Sequence, residues 1–392
     1  MLRPTYLQKI SDQFAIHPIC AVLGPRQVGK TTLAKAYLAA HYPDQALFFD
    51  LENPEDLAQL ANPMLLLRDL PQPLIVIDEI QRRPELFPIL RVLVDRADRR
   101  QKFLILGSAS RELLRQSSES LAGRIGYLEL PPFTLAEAHD ETKLWLRGGF
   151  PRAYLAETEP QSFEWRQQYI TTFLEQDIPS LGFNVPPPQL HRFWLMLVHY
   201  HGQIFNASEL GRSLSITDTT VRRYLDILAG TFMIRVLQPW SENIQKRQVR
   251  SPKIYFRDSG IIHALVGIRE LLQLKTYHRL GAFWEGFALE EVIRSFNLRS
   301  SECYFWGTHA HAELDLLIFT GGKRFGFEFK YGDHPSTTRS MHIALTDLKL
   351  DHLALIYPGD KIFPLTPQIT AYGLKTLATG ELRKKFAELM NL

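Results

Sequence analysis

The chain has 392 residues, of which 45% are hydrophobic and 22% are charged, so we expect a globular protein with two or three domains. The net charge of +3 is too small to argue for a nucleic-acid partner by itself, since clustered basic residues matter more than totals. Two cysteines, Cys20 and Cys303, without a CxxC motif exclude a zinc ribbon and a disulfide framework and fit a reducing cytosol.

No apolar run approaches the roughly 18–20 residues that span a bilayer. The N-terminal sequence MLRPTYLQKI lacks the apolar core of a signal peptide. We therefore expect a cytoplasmic protein that makes no contact with a membrane.

Residues 18–107 alternate apolar strands with helices, which predicts an α/β fold with a parallel sheet covered on both faces. A further strand, RIGYLELPPF, follows at 124–133. In chain order the segments are ICAVLG, KTTLAKAYLAAHY, ALFFDLE, PEDLAQLANPMLLLRDL, LIVIDEI, PELFPILRVLVDRA and KFLILGSAS.

The pattern changes after this region. Residues 135–182 are expected to be helical and irregular, and the prolines of VPPPQ (185–189) mark a boundary. Residues 189–240 predict a compact helical unit that ends in a short strand pair. From about residue 250 strands return, with a helix at 280–296, so the C-terminal part is expected to be mixed α/β.

The segment GPRQVGKTT matches the pattern GxxxxGK[ST] of a phosphate-binding loop, with a strand before it and a helix after it. Lys30 would reach the β- and γ-phosphates of a nucleotide, and Thr31 would ligate Mg²⁺. The helix beginning at Lys30 directs its positive dipole end at the anion. The alternative is a plain strand–turn–helix link. The predicted phosphate-binding residues are Gly24, Pro25, Arg26, Gln27, Val28, Gly29, Lys30, Thr31 and Thr32.

LIVIDEI places Asp78 and Glu79 at the end of an apolar strand. Asp78 would hold Mg²⁺ through water, and Glu79 would polarise the water that attacks the phosphate. Two adjacent carboxylates at a buried strand end are costly without a cation. ATPases with this acid pair have a strand inserted between the two motif strands, and the strand ALFFDLE lies between the motifs in sequence.

Three further residues are candidates for the same site. Ser108, at the end of KFLILGSAS, would sense the γ-phosphate or else cap the next helix. Arg124 would act as an arginine finger toward a neighbouring subunit or lie on the surface. Arg26 is a further cation, expected to be solvated.

NASELGRSLSITDTTVRRYLDILAGTFMIRVL predicts a helix-turn-helix followed by a wing, FMIRVLQPW. Asn206 would cap the first helix, and Thr217 or Asp218 would begin the second. Arg222 and Arg223 would point outward from the second helix, the one that would lie in a DNA major groove. The alternative is a unit that only packs domains together. RSPK at 250–253, with Lys246 and Arg247 before it, adds a second basic strip.

The C-terminal strands carry a second set of candidates. AELDLLIF contains Asp315 and GFEFK contains Glu328 and Lys330, and a turn at 320–323 would bring them together. Converging carboxylates repel each other unless a divalent cation bridges them, and Lys330 would then orient water. Glu285 is expected on the inward face of the preceding helix, with Glu291 in reserve and Glu290 on the outer side. The alternative is an ion-pair network in a structural sheet.

Together these motifs resemble a family of prokaryotic AAA-type ATPases joined to a winged helix and a C-terminal domain with a restriction-endonuclease-like fold. The resemblance rests on GPRQVGKTT, LIVIDEIQ, LILGSAS, SLAGRIGYLELPPF, GGFP, KIYFRDSG, GAFWEGF and AELDLLI with FEFK. It implies a P-loop ATPase core at 1–140, a helical lid with a winged helix at 141–245 and a nuclease-like domain at 246–392. Glu175-Gln176-Asp177 departs from the family's basic-acidic pair.

The resemblance assigns nucleotide and Mg²⁺ roles to Gly29, Lys30, Thr31, Asp78 and Glu79, a motif arginine to Arg124, and the nuclease-like positions to Glu285, Asp315, Glu328 and Lys330. The expected function is ATP hydrolysis that acts on DNA, including branched or structured DNA, with ATP and Mg²⁺ as cofactors and a homo-oligomer by analogy. Two alternatives stay open: a Mg²⁺-dependent DNA endonuclease controlled by ATP, and a nucleotide-switched protein-interaction module.

Overall fold

The computed structural model describes residues 3–97, 101–109, 121–244 and 247–390, which form two compact units. The first unit contains Met1–Pro132, Glu175–Val185 and Gly230–Met233. The second contains Phe133–Leu174, Pro186–Ala229 and Ile234–Leu392. Two short segments of the first unit are thus supplied by the part of the chain that otherwise builds the second. The three-domain division stays a prediction.

The elements of the described residues have the following bounds. The helices are α1 Pro4–Ile16, α2 Lys30–His41, α3 Pro54–Gln59, α4 Pro63–Asp69, α5 Leu86–Val94, α6 Leu135–Ala138, α7 Glu141–Arg147, α8 Pro151–Tyr154, α9 Glu159–Thr172, α10 Ile178–Ser180, α11 Pro187–Val198, α12 Ala207–Leu214, α13 Asp218–Gly230, α14 Ser259–Leu265, α15 Leu271–Lys275, α16 Leu280–Ser295, α17 Arg339–Asp347 and α18 Glu381–Met390. The strands are β1 Ile19–Leu23, β2 Ala46–Asp50, β3 Leu74–Asp78, β4 Lys102–Gly107, β5 Ile125–Glu129, β6 Gln203–Ile204, β7 Ile234–Pro239, β8 Lys253–Phe256, β9 Cys303–Gly307, β10 Glu313–Thr320, β11 Lys323–Phe329, β12 His352–Tyr357, β13 Ile362–Pro364 and β14 Ile369–Gly373.

The first unit is built on a five-stranded parallel sheet in the order β2-β3-β4-β1-β5, which confirms the predicted parallel sheet. The strand inserted between the two motif strands β1 and β3 is β4. The segment ALFFDLE was the strand expected at this inserted position, but it forms β2 and lies at the edge of the sheet. Order along the chain therefore gave the wrong strand for the inserted position.

Both faces of this sheet are buried, as predicted. Alternate residues of β1 enter different cores, because successive side chains of a strand point to opposite faces. Ile19 and Ala21 pack on one side with α5, while Cys20 and Val22 pack on the other side with α1 and α2. Covered faces leave the carboxyl ends of the strands as the exposed edge at which loops can carry a site.

The second unit contains a mixed nine-stranded sheet in the order β13-β14-β12-β11-β10-β9-β7-β8-β6. The predicted turn at 320–323 is confirmed, since β10 and β11 pair as a hairpin with Thr320 opposite Lys323. β7 and β8 pair with each other although they lie on either side of the predicted boundary at residue 245. One sheet therefore carries strands from both of the predicted C-terminal domains.

Among the described helices, none is both long enough and apolar enough to cross a membrane.

The loop after β1 begins at a glycine for a packing reason. A Cβ atom at Gly24 would lie 2.3 Å from the carbonyl oxygen of Leu130. The amide of Leu130 donates to the carbonyl oxygen of Leu23 at 2.7 Å. Because this hydrogen bond holds Leu130, its carbonyl cannot move away freely. The phosphate-loop segment can pass this strand end only because residue 24 has no side chain.

We expect Gly24→Ala to destabilise the protein by about 1–3 kcal/mol, as overpacking does in a filled core. The measurement is urea unfolding followed by circular dichroism. Gly281→Ala in α16 is the matched control, because no atom lies within 4 Å of the added Cβ, and it should be neutral or stabilising by about 0.5–1 kcal/mol. Equal unfolding midpoints for the two variants would contradict this account of Gly24.

Candidate active site

The predicted phosphate loop joins β1 to the first turn of α2. Gln27 (φ 60°) and Gly29 (φ 95°) both adopt the left-handed region. Such residues among right-handed neighbours turn successive amides toward one point and form an anion-binding concavity. The first turn of α2 has no acidic residue and no side-chain cap, so its amide donors are open to an anion.

Lys30 projects into this concavity. Its side chain is buried, and Nζ donates to the carbonyl oxygens of Gly24 at 3.0 Å and Pro25 at 2.9 Å. Burial lowers the pKa of Lys30, while the nearby carboxylates of Glu79 and Asp78 oppose that shift. The ammonium is therefore held inside the loop by neutral acceptors, with two acids close by.

Thr31 and Asp78 contact each other directly. The Thr31 hydroxyl donates to Oδ2 of Asp78 at 2.6 Å, and the other oxygen, Oδ1, accepts from the amide of Glu79 at 2.9 Å. Burial raises the pKa of Asp78, and the hydrogen bond from Thr31 opposes that rise. A hydroxyl and a carboxylate in contact beside a phosphate loop are the oxygen ligands that Mg²⁺ prefers.

Glu79 is held by two polar neighbours. Its Oε2 accepts from the Ser108 hydroxyl at 3.3 Å and is also contacted by the side-chain amide of Gln81. The Gln81 amide donates to Ser108 Oγ at 2.9 Å as well. Glu79 itself adopts the left-handed region, with φ 55°. Ser108 thus lies beside Glu79, and Gln81, which sequence analysis did not single out, joins the two.

The prediction that Arg26 is solvated is wrong, because its guanidinium is ion-paired with two acids. Its Nη1 lies 2.5 Å from Oδ1 of Asp177, and its Nη2 contacts Glu52. Asp177 is 3% exposed and ends a π-helical turn, Phe173–Asp177. Burial lowers the pKa of Arg26. The hydrogen bond and charge of Asp177, together with the charges of Glu79 and Glu52, outweigh burial and raise the pKa above its ordinary value. Asp177 therefore brings a distant part of the chain to the phosphate loop.

Arg124 does not join this group. It precedes β5, whose first residue pairs with the first residue of β1, whereas the phosphate loop follows the last residue of β1. A five-residue strand is roughly 13–16 Å long, so Arg124 lies at the opposite edge of the sheet. Its guanidinium binds Asp95 through two contacts of 2.5 and 2.8 Å. Arg124 therefore could contact only a nucleotide that is bound to another subunit.

The predicted helix-turn-helix segment is present as two helices. Asn206 caps α12 by accepting from the amide of Glu209 at 3.2 Å, and α13 begins at Asp218, so both predicted starts are confirmed. Arg222 and Arg223 are exposed on α13, as expected. A wing and a contact with DNA stay predictions.

Of the candidates in the C-terminal strands, Asp315, Glu328 and Lys330 lie close together. Asp315 on β10 lies opposite Glu328 on β11, one step beyond the pair Leu316–Phe327. Oδ2 of Asp315 accepts from the amide of Phe329 at 3.1 Å, and Lys330 lies 3.4 Å from Glu328. The predicted hairpin therefore places Asp315 beside Glu328.

Lys253, which the sequence placed in the basic strip RSPK and not among these candidates, is buried at the centre of this cluster. Nζ of Lys253, on β8, contacts Glu313 and lies 3.4 Å from Asp315 and 4.0 Å from Glu285. Its side chain is 3% exposed. The Tyr255 hydroxyl donates to Glu285 at 2.7 Å. Burial, followed by the charge of Asp315, raises the pKa of Glu285 to about 8.

The residues present do not fit a resident divalent cation. An ammonium group already lies among the carboxylates that such a cation would bridge. Within the ranges that the structure describes, no three His, Cys, Asp or Glu side chains form a group that could hold a metal ion. The alternative from sequence, an ion-pair network, describes this geometry better, with Lys253 as its cation.

The assignment of Glu290 to the outer side of α16 is wrong. Glu290 is 2% exposed, and its carboxylate binds Arg235 at 3.0 Å and lies 3.6 Å from Arg294. Burial raises the pKa of Glu290, but the arginines outweigh it and lower the pKa to about 2. Glu291, held in reserve, accepts from the amide of Leu135 at 2.7 Å. Both acids therefore have structural partners away from the Lys253 cluster.

Comparison with known proteins places the chain in a family. It is 47% identical over 380 residues to the uncharacterized protein Rv2008c of Mycobacterium tuberculosis, covering 96% of this chain and 85% of the relative, and the same holds for Mb2031c of Mycobacterium bovis. The chain belongs to the family of these mycobacterial proteins. Three family models also match: an AAA domain over residues 16–139, a domain of unknown function (DUF8612) over 138–272 and another (DUF4143) over 280–377.

The AAA match covers β1 to β5 and the whole phosphate loop. The first unit is therefore a P-loop domain of the AAA type, as the resemblance implied. Among solved structures, the Walker-type ATPase PABY2304 of Pyrococcus abyssi is similar to 66% of this chain and 94% of its own, with 16% identity and a TM-score of 0.45.

Lys253→Met should destabilise the protein by about 3–5 kcal/mol, because it leaves buried carboxylates without their cation. Those acids then hold protons more tightly in the folded than in the unfolded state, so the deficit should grow as pH rises. For Glu285 the relevant window runs from the ordinary pKa of 4.5 to at least about 8. Urea unfolding at pH 5 and pH 8 measures both effects.

Lys330→Met is the control, because this half-exposed lysine has Glu328, at 3.4 Å, as its one ion-pair partner among the described residues. This substitution should cost less than about 1 kcal/mol. A Lys253→Met deficit no larger than this, or one that is the same at both pH values, contradicts the assignment. Saturable stabilisation of the wild type by Mn²⁺ without nucleotide, lost in Asp315→Asn, would show that a metal displaces Lys253.

Proposed function

We propose that the first unit binds Mg²⁺-ATP and hydrolyses its γ-phosphate. The observation that carries this proposal is the 2.6 Å contact between Thr31, in the phosphate loop, and Asp78, at the end of β3. It joins the two halves of a nucleotide site that are 47 residues apart in sequence. The AAA family match over residues 16–139 supports the same function.

The protein residues divide the work of binding. Amides of the loop from Gly24 to Lys30 and the first turn of α2 would surround the β-phosphate. Lys30 would exchange its two carbonyl acceptors for phosphate oxygens as the nucleotide enters. Thr31 and Asp78 would hold Mg²⁺, Asp78 through water, and the bound metal would neutralise charge on the β- and γ-phosphates.

Glu79 would orient the attacking water and accept its proton. Ser108 and Gln81 both contact the Glu79 carboxylate, so they would fix its direction before the nucleotide arrives. Ser108 would also sense the γ-phosphate by contacting it. When inorganic phosphate leaves, this contact between Ser108 and the phosphate would be lost, and Gln81, which contacts Ser108, would pass the change to the turn after β3.

Action on DNA is the second part of the proposal. It is supported by the exposed Arg222 and Arg223 on α13, which have no ion pair among the described residues. We infer that α12, α13 and strands β6 to β8 form a winged helix, and that α16 with the sheet from β9 to β12 has a restriction-endonuclease-like fold. Cleavage by that fold is disfavoured by Lys253, so DNA binding or a protein-docking role is left for it.

Lys30→Ala should weaken binding of ATP and lower hydrolysis by about 10²–10³-fold, since it removes the charge at the developing anion. Glu79→Gln should keep binding but lower hydrolysis by about 10²–10⁴-fold, because the amide accepts no proton. Calorimetric titration with Mg²⁺-ATP and phosphate release measure the two steps. Unchanged turnover in Glu79→Gln would exclude Glu79 as the base.

The arginine-finger role of Arg124 is tested by mixing two inactive variants. Arg124→Ala keeps its own Glu79, and Glu79→Gln can still supply Arg124 to its neighbour. In a head-to-tail ring an equimolar mixture should recover about a quarter of the wild-type rate. Asp95→Ala is the control, because it releases Arg124 without removing it. Full activity of Arg124→Ala on its own would instead show that Arg124 has no part in hydrolysis and serves only in its contact with Asp95.

DNA action is read from the same assay. Single-stranded, duplex and branched DNA are added to the wild type and to Arg222→Ala/Arg223→Ala. We expect stimulation of hydrolysis that the double variant loses. ATPase activity that ignores all three DNAs would favour the nucleotide-switched protein-interaction module.

A further inference from the structure

The second unit contains an open groove with a cavity of about 720 Å³. We call it the basic groove. It lies where the segment before β8 meets the turn between β9 and β10. The side chains that give it its chemistry are Arg247, Arg250, His309, His311, Ser251 and Thr308.

The backbone that carries these side chains is fixed. Gln248 and Thr308 form a β-bridge, the amide of Val249 donates to Gly307 at 2.9 Å, and the amide of His309 donates to Arg247 at 3.0 Å. The segment from 247 to 249 therefore extends the sheet beside the end of β9. Arg247 lies on this segment and Arg250 directly follows it, so less backbone freedom is lost when they bind a ligand.

The charge of the groove is not compensated. Neither Arg247 nor Arg250 has an ion pair within the described ranges, and no described lining residue is acidic. The two glutamates that follow groove segments are engaged elsewhere: Glu242 with Arg324, and Glu313 with Lys253. A concave site with unpaired guanidinium groups concentrates anions.

The lining also limits the kind of anion. No described lining residue is Phe, Tyr or Trp, so the groove offers no aromatic platform for stacking bases. Its donors are guanidinium, imidazole and hydroxyl groups, which bind phosphate and sugar oxygens. An open groove of this size suits a chain of phosphates better than one small anion.

We propose that the basic groove binds the sugar-phosphate backbone of a nucleic acid, without sequence preference. The proposal rests on the nucleic-acid partner of the proposed function and gives that partner a contact surface apart from α13. Backbone contact of this kind depends on salt, because each neutralised phosphate releases bound counterions.

The test is fluorescence anisotropy of the full chain with a labelled single strand, a DNA duplex and an RNA duplex, without ATP, from 50 to 300 mM salt. Arg247→Ala/Arg250→Ala should weaken binding of several sequences alike and reduce the slope of log K against log salt by about 2. Arg383→Ala/Lys384→Ala, two exposed cations on α18, is the charge-matched control and should bind as the wild type does. The three probes distinguish DNA from RNA as the source of the backbone.

Two results would overturn the proposal. One is wild-type affinity and salt slope in Arg247→Ala/Arg250→Ala while Arg222→Ala/Arg223→Ala loses binding, which would assign the contact to α13. The other is no binding of any probe by a wild-type protein that hydrolyses ATP. A wild type that binds the probes through the groove but fails to hydrolyse ATP would instead refute the ATPase proposal alone. The circular-dichroism melting curve of each variant verifies that it is folded.

Discussion

The proposed nucleotide site depends on how a buried ammonium group is satisfied. Among the residues that the structure describes, Lys30 donates to two neutral carbonyl oxygens, those of Gly24 and Pro25, and to no carboxylate. The two carbonyls accept from two of its three N–H donors but do not cancel its charge. Asp78 and Glu79 act on it from farther away, raising its pKa against the effect of burial. In the proposed function, a triphosphate would therefore meet a cation that is already desolvated and positioned.

Lys253 shows the opposite solution in the second unit. It is as buried as Lys30, but its partners are the carboxylates of Glu313, Asp315 and Glu285. The charge of a buried ammonium paired with carboxylates is neutralised, so a further anion stabilises it little. The carboxylates, which are neutralised by the same pairing, bind a metal ion less favourably. Two clusters that each combine a buried lysine with nearby carboxylates thus differ in their electrostatics: the charge of Lys30 is not neutralised by a direct carboxylate contact among the described residues, whereas that of Lys253 is.

The elements and the phosphate loop could be predicted because their signals are local. Strand–helix alternation, the spacing of Gly29 and Lys30, the Asn206 cap and the hairpin turn all lie within a few residues in sequence. Asp177 and Lys253 could not be found this way, because they reach partners 151 and 62 residues away. Glu290 was misplaced because α16 is buried on nearly every side, so periodicity had no solvent face to detect.

The arginines differ from one another as the two buried lysines do, because some are paired with acids and others are not. A guanidinium that is paired bidentately or clamped between acids, as Arg124 and Arg26 are, has its donors committed and positions the chain. Arg26 is a special case, since its partners Glu52 and Asp177 tie the phosphate loop to two other segments. In the proposed function, a phosphate that attracts Arg26 would compete with those acids, so this side chain would link nucleotide binding to the position of the π-helical turn. Within the described part of the chain, the arginines in the basic groove and on α13 have no ion pair, so their donors are available for the ligands that we propose.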